Sequence, residues 1–103
     1  MLIDVDKKLL KYGYAKTDES QYGVYYKSQE TPPSGHTYTH TIAVLHKHNG
    51  LPIIQTYNTY LEESGGWKGE AGWIEAPVIL LIWIKYLQMV RKYKWNRVSE
   101  NVH

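Results

Sequence analysis

The sequence predicts an α+β fold: a short N-terminal helix, a three-stranded antiparallel β-meander and a long C-terminal helix packed on the sheet. Three observations favour it: apolar residues at helical spacing near both ends, β-forming segments between them, and one strong hairpin signal. The chain has 103 residues, which suits one domain over 1–103 and is too short for two.

Two segments have the periodicity of amphipathic helices. Leu2 to Tyr12 carries apolar residues at helical spacing and acids near its start, and Gly13 follows as a stop. Pro77 to Trp95 is the main helix, because Pro suits a first turn and a broad apolar stripe runs along one side. We expect that stripe to cover one face of the sheet.

Three β-rich segments lie between the helices, at Tyr22–Ser28, Thr37–Lys47 and Leu51–Tyr60. A polar stretch at 17–20 precedes the first of them and is interpreted as a turn. The segment 62–72 holds four glycines and is predicted to be a mobile loop.

The dipeptide Asn49-Gly50 indicates a two-residue type I′ hairpin turn between the second and third strands. That turn would place Val44 opposite Gln55. Pro52 has no N–H to donate to a neighbouring strand, so the third strand is expected to be an edge near this point.

Composition excludes several kinds of site. Without Cys, the chain has no disulfide, zinc–thiolate site or thiol nucleophile. The net charge of +2 is too small to imply a polyanion partner. Acids stand where a signal peptide has basic residues, so we expect a cytoplasmic protein. Ten Tyr, four Trp and no Phe favour a thin core whose large side chains reach the surface, or an aromatic binding face.

The first turns of the C-terminal helix, residues 76–84, are apolar almost all round. A run this short is far below the roughly 20 residues of a membrane span, although an interfacial membrane helix stays open. A helix that is apolar on all sides is either covered on both sides by its own chain or contacts a second chain. Three apolar residues fall on its otherwise polar side, and we expect a homodimer interface there: Leu81, Ile84 and Trp95.

A basic stretch follows with no acid until Glu100. Cations interleaved with aromatic rings can bind phosphates and stack on bases, which makes nucleic-acid binding the alternative function. Cations near the end of a helix also complement its dipole, which is the simpler interpretation. The residues concerned are Lys85, Arg91, Lys92, Lys94 and Arg97.

Four histidines share one face of the second predicted strand: His36, His40, His46 and His48. Two of them at i, i+2 can bind a transition metal, but no carboxylate lies nearby in sequence to complete a site. There is also no nucleophile elbow, P-loop, dinucleotide fingerprint or HExxH motif. We therefore predict no enzyme, no cofactor and no metal site, with the metal question at the histidine face left open.

The order of several segments resembles small uncharacterised proteins encoded by bacteriophages and prophages of Gram-positive bacteria, lactic acid bacteria among them. The segments that carry the resemblance are 11–14, 18–24, 38–47 and 50–57, within residues 9–60. The resemblance implies an accessory phage protein made in the host cytoplasm, and many proteins of that kind act by binding a host or phage protein. It implies no catalytic residues.

Overall fold

A computed structural model describes residues 3–31, 33, 37–46, 52–61, 67–71 and 74–95. This part of the chain forms two helices, α1 (Val5–Lys11) and α2 (Ala76–Tyr93), and one antiparallel sheet whose strands lie between them in the sequence. Its strands pair in sequence order: β1 (Ala15–Ser20), β2 (Gly23–Glu30), β3 (Tyr38–His46), β4 (Pro52–Leu61) and β5 (Trp67–Ala71). The α+β class and both helices are confirmed. The predicted count of three strands is wrong, because the described residues alone form a sheet of five.

Local chemistry explains where the helices begin and end. The Asp4 side chain accepts a hydrogen bond of 3.0 Å from the N–H of Lys7 and so caps α1. Gly13 follows α1 with φ 93°, a conformation that costs glycine little because it has no Cβ. Lys94 ends α2 in the left-handed conformation, where its N–H bonds to the carbonyl of Val90.

The core lies between α2 and one face of the sheet. Alternate residues of β2 and β3 point into it, and α1 closes one side. Its fully buried side chains include Leu9, Val24, Tyr26, Ile42, Val44, Ile82 and Met89. Contacts at both ends show that α2 runs in the same direction as β3: Tyr14 joins His40 to Glu75, and His46 stacks on Trp95.

The segment predicted as a turn at 17–20 is part of β1. A β-bulge interrupts its pairing with β2 between Lys16 and Asp18. The partners of Lys16 and Glu19 are Tyr26 and Val24, which both face the core. The extra residue therefore brings Lys16 and Glu19 to the same side of the sheet, although an odd spacing would separate them in a regular strand.

The register of β3 and β4 differs by one residue from the prediction. Val44 pairs with Ile54, and Gln55 pairs with Ala43 instead. Ile54 packs against the core on the face of Val44, whereas the predicted register would direct Gln55 there. A slip of one residue exchanges the faces of a strand, so the observed register is the one that buries Ile54 in place of Gln55. The residues of the predicted turn, 49–50, lie outside the described part of the chain.

The predicted glycine-rich loop contains a strand. Residues 67–71 form β5 and pair with Tyr57–Leu61 of β4, while 62–66 and 72 lie outside the described residues. β4 is therefore not an edge over that stretch. Beside Pro52 the outer side of β4 has no strand among the described residues, as expected for a residue without an N–H.

Candidate interaction surface on the C-terminal helix

The side of α2 that faces away from the sheet carries large apolar side chains. Four of them are exposed: Ile79 (41%), Leu80 (64%), Trp83 (49%) and Leu87 (62%). We call these four residues the outer face of α2. Together with Ala76, three of them follow alternating steps of four and three residues. That spacing is typical of a seam along which one helix packs on another.

The opposite side of α2 is the part that the chain buries by itself. Its buried residues are Val78, Leu81, Ile82, Lys85 and Met89. The helix is therefore apolar on two sides, and the sheet covers only one of them. A contiguous exposed apolar surface on a helix is a common mark of a binding site.

The predicted interface residues do not share a surface. Leu81 is 9% exposed and belongs to the core. Trp95 is also buried, and its indole N–H donates a hydrogen bond of 2.7 Å to the carbonyl of Gln21. Ile84 is half-buried beside the outer face. Leu81 and Trp95 consequently cannot present an outward surface.

The error arose from Lys85. When Lys85 is assigned to the polar side of the helix, helical spacing puts Leu81 and Ile84 on that side as well. In the structure Lys85 is only 8% exposed, and Leu81 is buried on the same side of α2. The spacing of Ala76, Leu80, Trp83 and Leu87 was the signal that could have identified the outer face.

A groove lies beside the outer face. Ile84, Leu87, Gln88 and Arg91 line it, and its volume is about 240 Å³. The Gln88 amide donates a hydrogen bond of 2.9 Å to the carbonyl of Ile3, which holds this wall of the groove against the N-terminal segment. Arg91 is exposed and makes no hydrogen bond or ion pair within the described residues. The groove thus extends the apolar surface of the outer face, and the Arg91 guanidinium lies at its margin.

Lys85 and Lys92 belong to a cluster of charges on the sheet side of α2. Lys85 Nζ lies 2.9 Å from Glu19 Oε1 and 3.3 Å from Asp6 Oδ1. Lys92 Nζ lies 2.8 Å from Glu19 Oε2, and Lys16 Nζ lies 2.8 Å from Asp6 Oδ2. We call these five residues the ion cluster. It joins α1, β1 and α2.

The surroundings of Glu19 keep its carboxylate ionised. Burial raises the pKa of Glu19, but hydrogen bonds from Lys92, Lys85 and Tyr93 lower it by more, so the pKa ends well below its usual range. Burial likewise opposes ionisation of Asp6, but the bond from Lys16 and others bring its pKa below the ordinary value.

The cations predicted to contact nucleic acid therefore have different environments in the structure. Lys85 is buried and Lys92 is paired with Glu19. Arg91 and Lys94 are exposed. Arg97 lies outside the described residues. The structure does not bring these cations together as one phosphate-binding surface.

A second polar cluster lies at the N-terminal end of α2. The Tyr14 hydroxyl is 3.1 Å from His40 Nδ1 and 3.5 Å from Glu75 Oε2. Burial, with Glu75 alongside, raises the pKa of Tyr14 to about 12, so its hydroxyl stays protonated at neutral pH. Burial lowers the pKa of His40 and Glu75 partly offsets this, which favours the neutral ring. His40 Nε2 is buried without a partner in the described part of the chain.

Of the four predicted histidines, His40 and His46 lie within the described residues, and these two do not converge. His46 stacks on Trp95 with ring centroids 5.1 Å apart, six residues along β3 from His40. Six strand residues span about 20 Å. His36 and His48 lie outside the described residues. Among the residues that are described, no three His, Asp or Glu side chains lie close enough to hold a metal ion.

Comparisons with protein-family models, with curated proteins and with solved structures give no match. Neither helix, within the described residues, is long and apolar enough to cross a membrane. The functional conclusion therefore depends on the geometry of α2.

Proposed function

We propose that this protein is a non-enzymatic interaction protein that forms a homodimer through the outer face of α2. The observation that carries the proposal is the outer face itself. Four large apolar side chains stand in solvent on the side of α2 opposite the core, and no charge lies among them from Ala76 to Ile84. Covering them with an equally apolar surface removes both surfaces from water at once.

The size of the surface fits a dimer. Side chains of this kind and exposure form a patch on the order of 400 Å². A standard interface takes about 800 Å² from each partner and is roughly 55–65% apolar. The outer face supplies the apolar centre, Ile84 extends it, and Gln88 and Arg91 supply a more polar rim. A second copy offers the same patch, and two-fold dimers are the commonest assemblies of identical chains.

The polar clusters support a non-enzymatic role. In the ion cluster, the carboxylate of Glu19 is committed to Lys85, Lys92 and Tyr93. The Tyr14 hydroxyl lies 3.1 Å from His40 Nδ1 and 3.5 Å from Glu75 Oε2, so it connects β3 to the residue before α2. These groups are placed to hold elements together.

The proposal extends to context. A phage or prophage accessory protein in the host cytoplasm suits the resemblance found over residues 9–60, and such a protein acts by contacts with other chains. This part of the proposal depends on the resemblance alone.

The test is the molar mass in solution of two double variants. Leu80→Glu/Leu87→Glu places charges in the outer face, and Tyr12→Glu/Tyr22→Glu places them at exposed aromatic positions elsewhere. Size-exclusion chromatography with light scattering, at tens of micromolar, should give twice the 12.0 kDa chain mass for wild type and for the tyrosine control. The leucine variant should be a monomer with an unchanged circular dichroism spectrum.

Two outcomes contradict the proposal: a monomeric wild type, or a leucine variant that stays dimeric. A monomeric wild type that binds anionic lipid vesicles would assign the outer face to a membrane surface instead. Salt-sensitive binding to single- or double-stranded DNA by a monomer would favour the alternative, a nucleic-acid-binding accessory protein that uses Arg91 and Lys94.

A further inference from the structure

We propose that the two copies pair through antiparallel α2 helices, with Trp83 on the two-fold axis. The inference rests on the proposed homodimer and specifies how its two surfaces meet. It follows from three features of α2: the symmetry of its outer face, the placement of its charges, and the support of the Trp83 ring.

The outer face is nearly symmetric about Trp83. Ile79 lies four residues before it, Leu80 three before it and Leu87 four after it. At about 1.5 Å per residue, these side chains stand roughly 5–6 Å from the level of Trp83. A two-fold axis through Trp83 brings Leu87 of one copy beside Ile79 and Leu80 of the other. Every large apolar side chain of the outer face then meets an apolar partner.

The charges of α2 lie mainly at one end. Arg91, Lys92 and Lys94 occupy the last turn and the cap, whereas Glu75 precedes the first turn. Parallel helices would place both basic ends side by side, and their aligned dipoles would also repel. Antiparallel helices separate the basic ends. They bring Arg91, eight residues after Trp83, to the level of Glu75 of the other copy, eight residues before it.

The Trp83 ring is supported from its own chain. It meets the ring of Tyr86 edge to face, with centroids 5.7 Å apart and planes at 86°. Tyr86 in turn lies against buried Trp95, with centroids 6.5 Å apart. A large aromatic side chain that is held before binding loses little freedom on association, which suits the centre of an interface.

Single-cysteine variants test the arrangement, because the chain has no Cys of its own. A disulfide needs Cα atoms within about 7 Å. In the antiparallel pair, Trp83→Cys should cross-link to itself under mild oxidation. Leu80→Cys alone and Leu87→Cys alone should not, since the equivalent residues of two copies are offset by about 9–12 Å along the axis.

The decisive sample is a mixture of Leu80→Cys with affinity-tagged Leu87→Cys, which retains Trp83 in both chains. It should yield a mixed disulfide dimer, at least tenfold more abundant than either self-linked product. Self-linked Leu80→Cys and Leu87→Cys without the mixed product would overturn the antiparallel arrangement while leaving the homodimer in place. A dimeric wild type with no cross-link at any position would overturn pairing through α2. A monomeric wild type would overturn the homodimer itself, so the two proposals fail in distinguishable ways.

Discussion

Replacing Glu19 by Gln tests whether the ion cluster holds α2 to the first strand. The substitution keeps the size of the side chain and removes its charge. Lys85, whose side chain is only 9% exposed, then loses the carboxylate 2.9 Å from its Nζ and keeps Asp6 at 3.3 Å. Glutamine keeps one acceptor oxygen, so an NH2 group replaces either the oxygen that accepts from Lys85 or the oxygen that accepts from Lys92 and Tyr93.

Removing one partner of a buried ion pair costs about 3–5 kcal/mol. Because Asp6 still compensates part of the Lys85 charge, we expect the free energy of unfolding to fall by about 3 kcal/mol, at the lower end of that range. For a domain of this size the loss corresponds to roughly 10–20 °C in Tm. A loss of about 3 kcal/mol is a large share of the free energy of unfolding of an ordinary domain, which is about 5–15 kcal/mol.

The pH dependence of the free energy of unfolding is a second test of the role of Glu19. The pKa of Glu19 in the folded chain lies below its ordinary value of 4.5. Its ionised form therefore contributes stability that is complete above about pH 5 and is lost as the pH falls from there toward the lowered pKa. Glu19→Gln cannot lose that contribution, so its stability should fall less steeply than that of wild type between pH 5 and pH 2.

Chemical denaturation at pH 7 and across the acid range measures both effects. Asp18→Asn is the matched control, because Asp18 directly precedes Glu19 in β1, is exposed and pairs with Tyr25, whose side chain lies on the other side of the sheet. The control should lose no more than about 0.5 kcal/mol, as most surface substitutions do. If Glu19→Gln is no less stable than the control, or keeps the acid slope of wild type, the ion cluster does not have the role assigned to it.

Three further outcomes follow from single contacts. Gly23→Ala should cost about 1–3 kcal/mol in chemical denaturation, because a Cβ there would stand 2.7 Å from the carbonyl oxygen of Val44; an unchanged midpoint would refute the close approach. Trp95→Phe removes the donor to the Gln21 carbonyl and should cost about 1–3 kcal/mol in the same assay, whereas a cost below about 0.5 kcal/mol would show that the bond is unimportant. The His40 ring should titrate by NMR with a pKa below 6.5, since burial disfavours its charged form. Its contribution to stability is then complete above about pH 6.5 and decreases as the pH falls toward the lowered pKa; a pKa above 6.5 would contradict this.

Local patterns were enough to predict the two helices and the three central strands. Apolar periodicity, the acids near the start of the first helix and the stop at Gly13 act within a few residues, so they are readable without the fold. The strands β2, β3 and β4 are rich in β-formers for the same reason.

The elements that were missed depend on distant partners. β1 has the sequence Ala-Lys-Thr-Asp-Glu-Ser, with no apolar alternation, and its role becomes clear only when Glu19 meets Lys85 and Lys92 of α2. The burial of Lys85 has no local signal, because the acids that compensate it come from α1 and β1. The register of β4 was set by packing of Ile54 against the core, which the turn residues do not reveal.

The most direct test of the account is the molar mass of the wild-type chain by light scattering from about one to one hundred micromolar. The outer face of α2 predicts a mass that rises to twice 12.0 kDa and remains there at the higher concentrations. A mass that stays at 12.0 kDa over the whole range would contradict the homodimer and, with it, the function proposed for α2.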